Sequence, residues 1–226
     1  MPAPPHDDRV YYEVGNSLPL AHRVSLFARR RMFDLFMTAM EPNETSTILD
    51  IGTSDEETEE ANILEKSYPW PSRITCASLG SGGKIVSSHP DVRHITITAG
   101  EQLPFRDQEF DVSYSNAVLE HVGGPDQRRS FLLEAMRVSR SVFMLVPNRW
   151  FPIEHHTGIP FLHWWPSFFR SAFAGGRQDY WTKRSNLDFL SIGLLQAEWP
   201  VPRSVSFKYT GLRLGPFSSN VALISR

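Results

Sequence analysis

Two short clusters of titratable side chains stand out in this 226-residue sequence: Glu120-His121, and Glu154-His155-His156 with His163 seven residues further on. Histidine titrates near neutral pH and can take a proton from a hydroxyl or phenol. That makes His121, His155 and His156 the candidate catalytic bases. A structural role competes with this one: bracing a cleft for Glu120-His121, and loop hydrogen bonding for His155 and His156. For Glu120-His121 no third and fourth metal ligand can be placed; the adjacent His155 and His156 could bind a metal, but no further spacing pattern supports it. The sequence therefore assigns no metal. The only cysteine, Cys76, sits in the apolar run ITCASL and reads as a small buried side chain.

A third stretch, Asp50-Ile51-Gly52-Thr53-Ser54-Asp55-Glu56, follows the apolar run TILDI. Gly52 permits a tight turn there. Ser54 and Glu57 have the spacing of a capping box that would open a helix over Ser54–Tyr68. The acids that follow suit the positive end of a helix, and they occupy the place where a phosphate would sit. A pyrophosphate-binding loop, and with it a nicotinamide or ATP enzyme, is disfavoured on that ground.

The elements that would position these residues alternate. Short apolar runs at Thr47–Ile51, Ile74–Leu79, His94–Thr98, Phe110–Tyr114 and Val142–Val146 read as strands, the last of them central and fully buried. Val205–Tyr209 and Val221–Ser225 add two alternating runs, expected as antiparallel neighbours. Helical patterns cover 18–40, 54–68, Pro125–Ser139 and Asn186–Glu198. In the first of these, Leu20, Val24, Phe27, Met32, Phe33, Phe36, Met37 and Met40 recur near a 3.6-residue period, with Arg29, Arg30 and Arg31 between them. The order predicts an α/β fold: a seven-stranded, mostly parallel, Rossmann-like sheet with helices between the first five strands and on both faces, the last strand antiparallel. Ligands of such sheets bind outside the carboxyl ends of the strands.

Composition narrows the class. With 23 basic and 25 acidic side chains the net charge is −2, so no basic stripe for nucleic acid is indicated. A single cysteine excludes a disulfide framework. No apolar run reaches the ~18 residues of a membrane span, and the first residues lack a signal-peptide pattern. These features point to a cytoplasmic protein. The division expected is a tail and helix over 1–44, with residues 1–17 polar and Pro-rich, and one domain over 45–226. An aromatic insertion at about 148–184 carries Trp150, Phe151, Phe161, Trp164, Trp165, Phe168, Phe169, Phe173, Tyr180 and Trp181. Two readings of it stay open: a lid packed on the core, or an apolar acceptor pocket or partner surface. Arg149, Arg170, Arg177 and Arg184 lie close by and would meet an acidic headgroup or stack on the rings. Peripheral membrane contact and a homodimer or partner protein through this segment are the corresponding partner expectations.

The runs ILDIG (48–52), LPFRDQEFDVSYSNAVLEHV (103–122) and PNRWFP (147–152) resemble class I S-adenosylmethionine-dependent methyltransferases of the small bacterial type-11-like kind. The resemblance covers about residues 45–226. It implies S-adenosylmethionine as cofactor and transfer of a methyl group; together with the aromatic insertion it points to a small or lipid-linked, partly apolar acceptor, with oxygen expected ahead of carbon or nitrogen as the acceptor atom. It implies that Asp50 steers the methionine end of the cofactor beside Gly52, Thr53 and Ser54. Ser78, Leu79 and Gly80 would face the ribose; Ala99, Gly100, Glu101 and Gln102 the adenine; Asn116 and Ala117 the sulfonium. Ser78 and Ala99 stand where the family carries acids. That substitution motivates the alternative: a degenerate methyltransferase-fold protein without methylation activity, acting as a partner or regulatory subunit.

Overall fold

A computed structural model describes residues 19–176, 178–202 and 204–226, with side chains from Arg23 onward. The expected Pro-rich tail, Leu20 of the first helix and Arg177 of the insertion lie outside the described residues or side chains. In chain order the elements are α1 (Pro19–Met40), β1 (Ile48–Ile51), α2 (Ile63–Ser67), β2 (Ile74–Ser78), α3 (Gly83–Ser88), β3 (Arg93–Thr96), β4 (Phe110–Asn116), α4 (Pro125–Val138), β5 (Ser139–Pro147), α5 (Pro166–Phe173), α6 (Ile192–Glu198), β6 (Ser206–Leu214) and β7 (Phe217–Ser225). Single turns of 3-10 helix add Leu119–His121, Leu162–Trp164 and Asp179–Thr182.

The seven strands form one sheet in the order β3-β2-β1-β4-β5-β7-β6. The first five are parallel to one another, while β7 runs antiparallel to both β5 and β6. Connections reverse direction at β1, between β2 and β4. The carboxyl ends of those strands therefore diverge there and leave a crevice.

Alternation along β1 divides its side chains between two cores. Leu49 and Ile51 join the face covered by α4 and α6, with Leu132, Ala135, Met144 and Leu195. Ile48 joins the opposite face under α1, with Phe36, Cys76, Tyr114 and Phe143. Phe36 is fully buried and meets the Tyr114 and Phe143 rings edge-on, at centroid distances of 5.1 and 5.3 Å. The apolar period of the first helix is thus real, but its first turns face elsewhere. Phe27 is exposed beneath the Arg31 guanidinium, and Val24 faces the crevice.

Three expected helices are shorter than their sequence patterns or absent. Residues 54–62 form turns, and helix begins only at Ile63 after Asn62. The run Ser54–Glu60 contains no apolar side chain. A helix there would bury nothing, and packing of an apolar face is what holds short helices. The capping box accordingly does not form; Ser54 Oγ instead accepts from the Glu56 N–H two residues on (3.0 Å). No helix lies between β3 and β4, where residues 97–109 are loop. The last expected helix keeps only Ile192–Glu198, capped by Ser191, whose side chain accepts from Leu194 N. Residues 187–190 carry no regular structure and are buried instead. Among the described residues no helix is long and apolar enough to cross a membrane.

Candidate functional site

The crevice at the carboxyl ends of β1, β2 and β4 is a cavity of about 880 Å³. The loops at the strand ends and the insertion close around it, together with parts of α1, α4 and the β6–β7 pair. Gly52, Thr53 and Ser54 follow β1, Ser78 and Leu79 end β2, and Ala99, Gly100 and Glu101 lie in the loop after β3. Asn116 and Ala117 end β4, followed by Glu120 and His121; His155 and His156 reach in from the insertion. Of the cofactor-binding residues singled out from sequence, Asp50, Gly80 and Gln102 do not line this cavity.

Backbone geometry explains why glycine stands at position 52. Its φ is +95°, and a Cβ there would meet Val118 Cγ2 at 2.2 Å. Its N–H donates to the Ala77 carbonyl (2.7 Å), which ties the turn to β2. Ala117, on the opposite wall, also has a left-handed φ of +57° and donates its N–H to Leu145 O (2.9 Å). Non-glycine residues with positive φ concentrate at binding and catalytic sites, where the surrounding structure holds the strain. The turn after Gly52 is braced by a residue the sequence did not flag. Asn62 accepts from Ser54 N (3.2 Å) and donates to Ser54 O (2.9 Å) and Glu57 Oε1 (2.6 Å).

Asp50 points the other way, into the core beneath α1 and α2. It is buried beside Glu65, whose Oε1 accepts from Cys76 Sγ at 3.2 Å. Burial, then the charge of Glu65 and a hydrogen bond with it, push the Asp50 carboxyl well above its usual range. The folded chain therefore holds a proton on Asp50 more tightly than the unfolded chain does. This contribution to stability is complete below the ordinary aspartate range of about 4 and is lost as pH rises above it. Asp50→Asn keeps the hydrogen-bonding shape and removes the titration. Relative to the parent, the variant is expected to gain stability steadily from pH 4.5 to pH 8 in denaturant unfolding, with ligand affinity unchanged. A constant difference across that range would show that burial of the charge is already compensated.

Ser78 also has a partner of its own, with Oγ 2.9 Å from His94 Nε2. The other walls supply residues that the motifs did not mark. Arg29 of α1 is the only lysine or arginine lining the cavity among the described residues, and it faces a rim that includes Glu60, Glu101 and Asp126. The signal for Arg29 was the apolar period of α1, which places positions 25, 28, 29 and 32 along one strip.

His121 and His156 come together although they lie 35 residues apart, with Nε2 atoms separated by 3.2 Å. His121 Nδ1 lies 2.6 Å from the Asn186 carbonyl. His156 Nδ1 lies 2.8 Å from Glu154 Oε1. Burial raises the Glu154 carboxyl, but this is outweighed by the hydrogen bonds and charge of His156 and by Thr157, which hold it down to about 2. Glu120 lies beneath the pair and is 1 % exposed, and neither of its oxygens has a hydrogen-bond partner. Burial pushes its carboxyl up to about 7. His163 lies outside the main cavity; its Nε2 bonds Phe151 O at 2.9 Å.

The aromatic insertion reaches the cavity only through His155 and His156. Phe169 and Trp181 form a small core of their own with Leu187 and Phe189, while Trp150, Phe161, Trp165 and Phe168 are exposed. The rings thus neither line the cavity nor pack wholly as a lid.

Sheet order and the reversed last strand make this a seven-stranded, Rossmann-like α/β fold with the cavity at its switch point. Residues 71–142 match the family model described as a methyltransferase domain. No curated protein sequence matches the chain. Among solved structures the chain is similar to an S-adenosylmethionine-dependent methyltransferase from Aquifex aeolicus. That match has 14 % identity and a TM-score of 0.59, and covers 97 % of this chain and 98 % of the other. It is also similar to the N-methyltransferase NodS from Bradyrhizobium japonicum, solved in complex with S-adenosyl-L-homocysteine. There the identity is 11 % and the TM-score 0.61, with 97 % of this chain and 96 % of the other covered.

Proposed function

We propose that this chain transfers a methyl group from S-adenosylmethionine to an oxygen of a small, partly apolar acceptor. One observation carries the reading: the loops after β1, β2, β3 and β4, four separate stretches, all line one cavity of about 880 Å³ at the sheet's switch point. That volume lies within the usual range for small-molecule and cofactor sites. The matched domain model includes the loops after β2, β3 and β4.

In this reading Gly52, Thr53 and Ser54 hold the methionine end, and Arg29 supplies the counter-charge for its carboxylate. Leu79, Gly100 and Glu101 take the nucleoside, with Glu101 offering an acceptor to the adenine amino group. Asn116 and Ala117 flank the sulfonium. Methyl transfer is an in-line displacement that needs alignment and exclusion of water more than covalent help. The acceptor enters beside Val24, Met32 and Phe131, apolar side chains of the cavity wall. His121, His155 and His156 line the same cavity, where the hydroxyl proton would leave.

Calorimetric titration with S-adenosylhomocysteine tests the reading. The expected result is one site per chain with micromolar affinity, weakened by about tenfold in Arg29→Ala, in line with loss of one charge-assisted contact. No heat at millimolar ligand overturns it, and would instead favour a methyltransferase-fold protein that works without this cofactor.

A further inference from the structure

The two histidines and the buried glutamate form a set that methyl transfer by alignment alone does not require. Both imidazoles are held by their Nδ1 atoms. The partner of His121 Nδ1 is the carbonyl of Asn186, which can only accept, so that nitrogen carries a hydrogen. The partner of His156 Nδ1 is the Glu154 carboxylate, so that nitrogen carries one as well. In the neutral tautomers both Nε2 atoms then present lone pairs, and they face one another at 3.2 Å. Glu120 Oε1 lies 3.8 Å from His121 Nε2, and one donor atom from each of the three residues falls within 4.8 Å of the other two. Three electron-pair donors converge on one point, one of them a carboxyl that is almost fully buried and lacks any hydrogen-bond partner. Such an arrangement calls for a cation at its centre.

We propose that Glu120, His121 and His156 bind one divalent transition-metal ion of the zinc class, with a further coordination position open to the cavity. Tetrahedral bonds of about 2.0–2.1 Å to nitrogen and oxygen give ligand–ligand edges of about 3.3 Å, close to the separation of the two Nε2 atoms. Two histidines and one carboxylate are the donor set of open, reactive metal sites rather than closed structural ones. The outer contacts agree. A ligating histidine almost always donates its other ring N–H to a carboxylate or backbone carbonyl, and this pair shows one of each. All three residues also line the main cavity, so an oxygen atom of a bound molecule can reach the open position.

The test needs neither cofactor nor acceptor, so its failure and that of the methyl-transfer reading are distinguishable. Chelator-treated protein is titrated with Zn²⁺ by calorimetry and with Co²⁺ by visible absorption. The expected result is one ion per chain and a Co²⁺ spectrum of low coordination number. Glu120→Gln and His156→Ala should each weaken binding about 10²-fold or more, and Glu154→Gln about 10- to 100-fold through the orientation of His156. Circular dichroism reports whether each variant is folded, and the near-isosteric Glu120→Gln carries the test if His156→Ala is not. Absence of binding at about 0.1 mM metal, an affinity far below that of protein metal sites, overturns the proposal and assigns a shared proton to the histidine pair. Binding that survives Glu120→Gln undiminished overturns it equally.

Discussion

Arg128→Met is expected to lower the free energy of unfolding by about 3–5 kcal/mol, read by denaturant titration. The Arg128 side chain is completely buried. It forms a two-pronged pair with Glu198 (2.7 Å on each prong) and also donates to Asp188 Oδ2 (2.9 Å) and Gly123 O (2.7 Å). Removing the guanidinium leaves two largely buried carboxylates without their main counter-charge, which costs far more than the pair contributes over an apolar replacement. Asp188 keeps Arg184 at 2.9 Å, so the greater share of the loss falls on Glu198. Adding Glu198→Gln to the Arg128→Met chain should recover part of the stability. A single-variant loss below about 1 kcal/mol would mean that water reaches and solvates the stranded carboxylates as at a surface pair. The same network bears on the site, because Asp188 N donates to Glu120 O (2.8 Å). Through that bond the buried segment 187–190 holds the 3-10 turn carrying Glu120 and His121.

Gly52→Ala is expected to weaken S-adenosylhomocysteine binding by about 10²-fold, with the fold retained by thermal unfolding. A left-handed φ costs a non-glycine residue about 1–3 kcal/mol, and about 1.4 kcal/mol is tenfold in affinity. To this is added the 2.2 Å approach of the new Cβ to Val118 Cγ2. Val118 also lines the cavity, next to Ala117, so relief of the clash moves the wall against which the ligand lies. Val118→Ala in the Gly52→Ala background removes the clash but not the backbone strain. It should return about tenfold of the affinity and leave the rest lost. Unchanged affinity in the single variant would mean that the turn shifts freely and does not hold the ligand.

Much of the fold was legible because the signals are local. Continuous or alternating apolar runs of four to eight residues mark strands whatever the rest of the chain does. The helical pattern over Pro125–Ser139 placed α4 within one residue of its observed end. Patterns failed where local capping rules disagreed with burial. Ser54 and Glu57 have the right spacing for a helix start, but the segment between them and Ala61 has nothing apolar to bury.

The candidate site divides along the same line. Sequence by itself determined the parallel sheet, the glycine turn after β1 and the presence of imidazoles on two separate segments. Each of these depends on residue type and on near neighbours in the chain. Tertiary structure alone decided that Asp50 faces Glu65 and Cys76 in the core, since the side to which a strand residue points is set by which face of the sheet each helix covers. It alone placed Arg29 in the cavity wall, and it alone brought His156 to His121 over buried Glu120. Spacing along the chain carries no record of a contact made by folding one loop over the end of a distant strand.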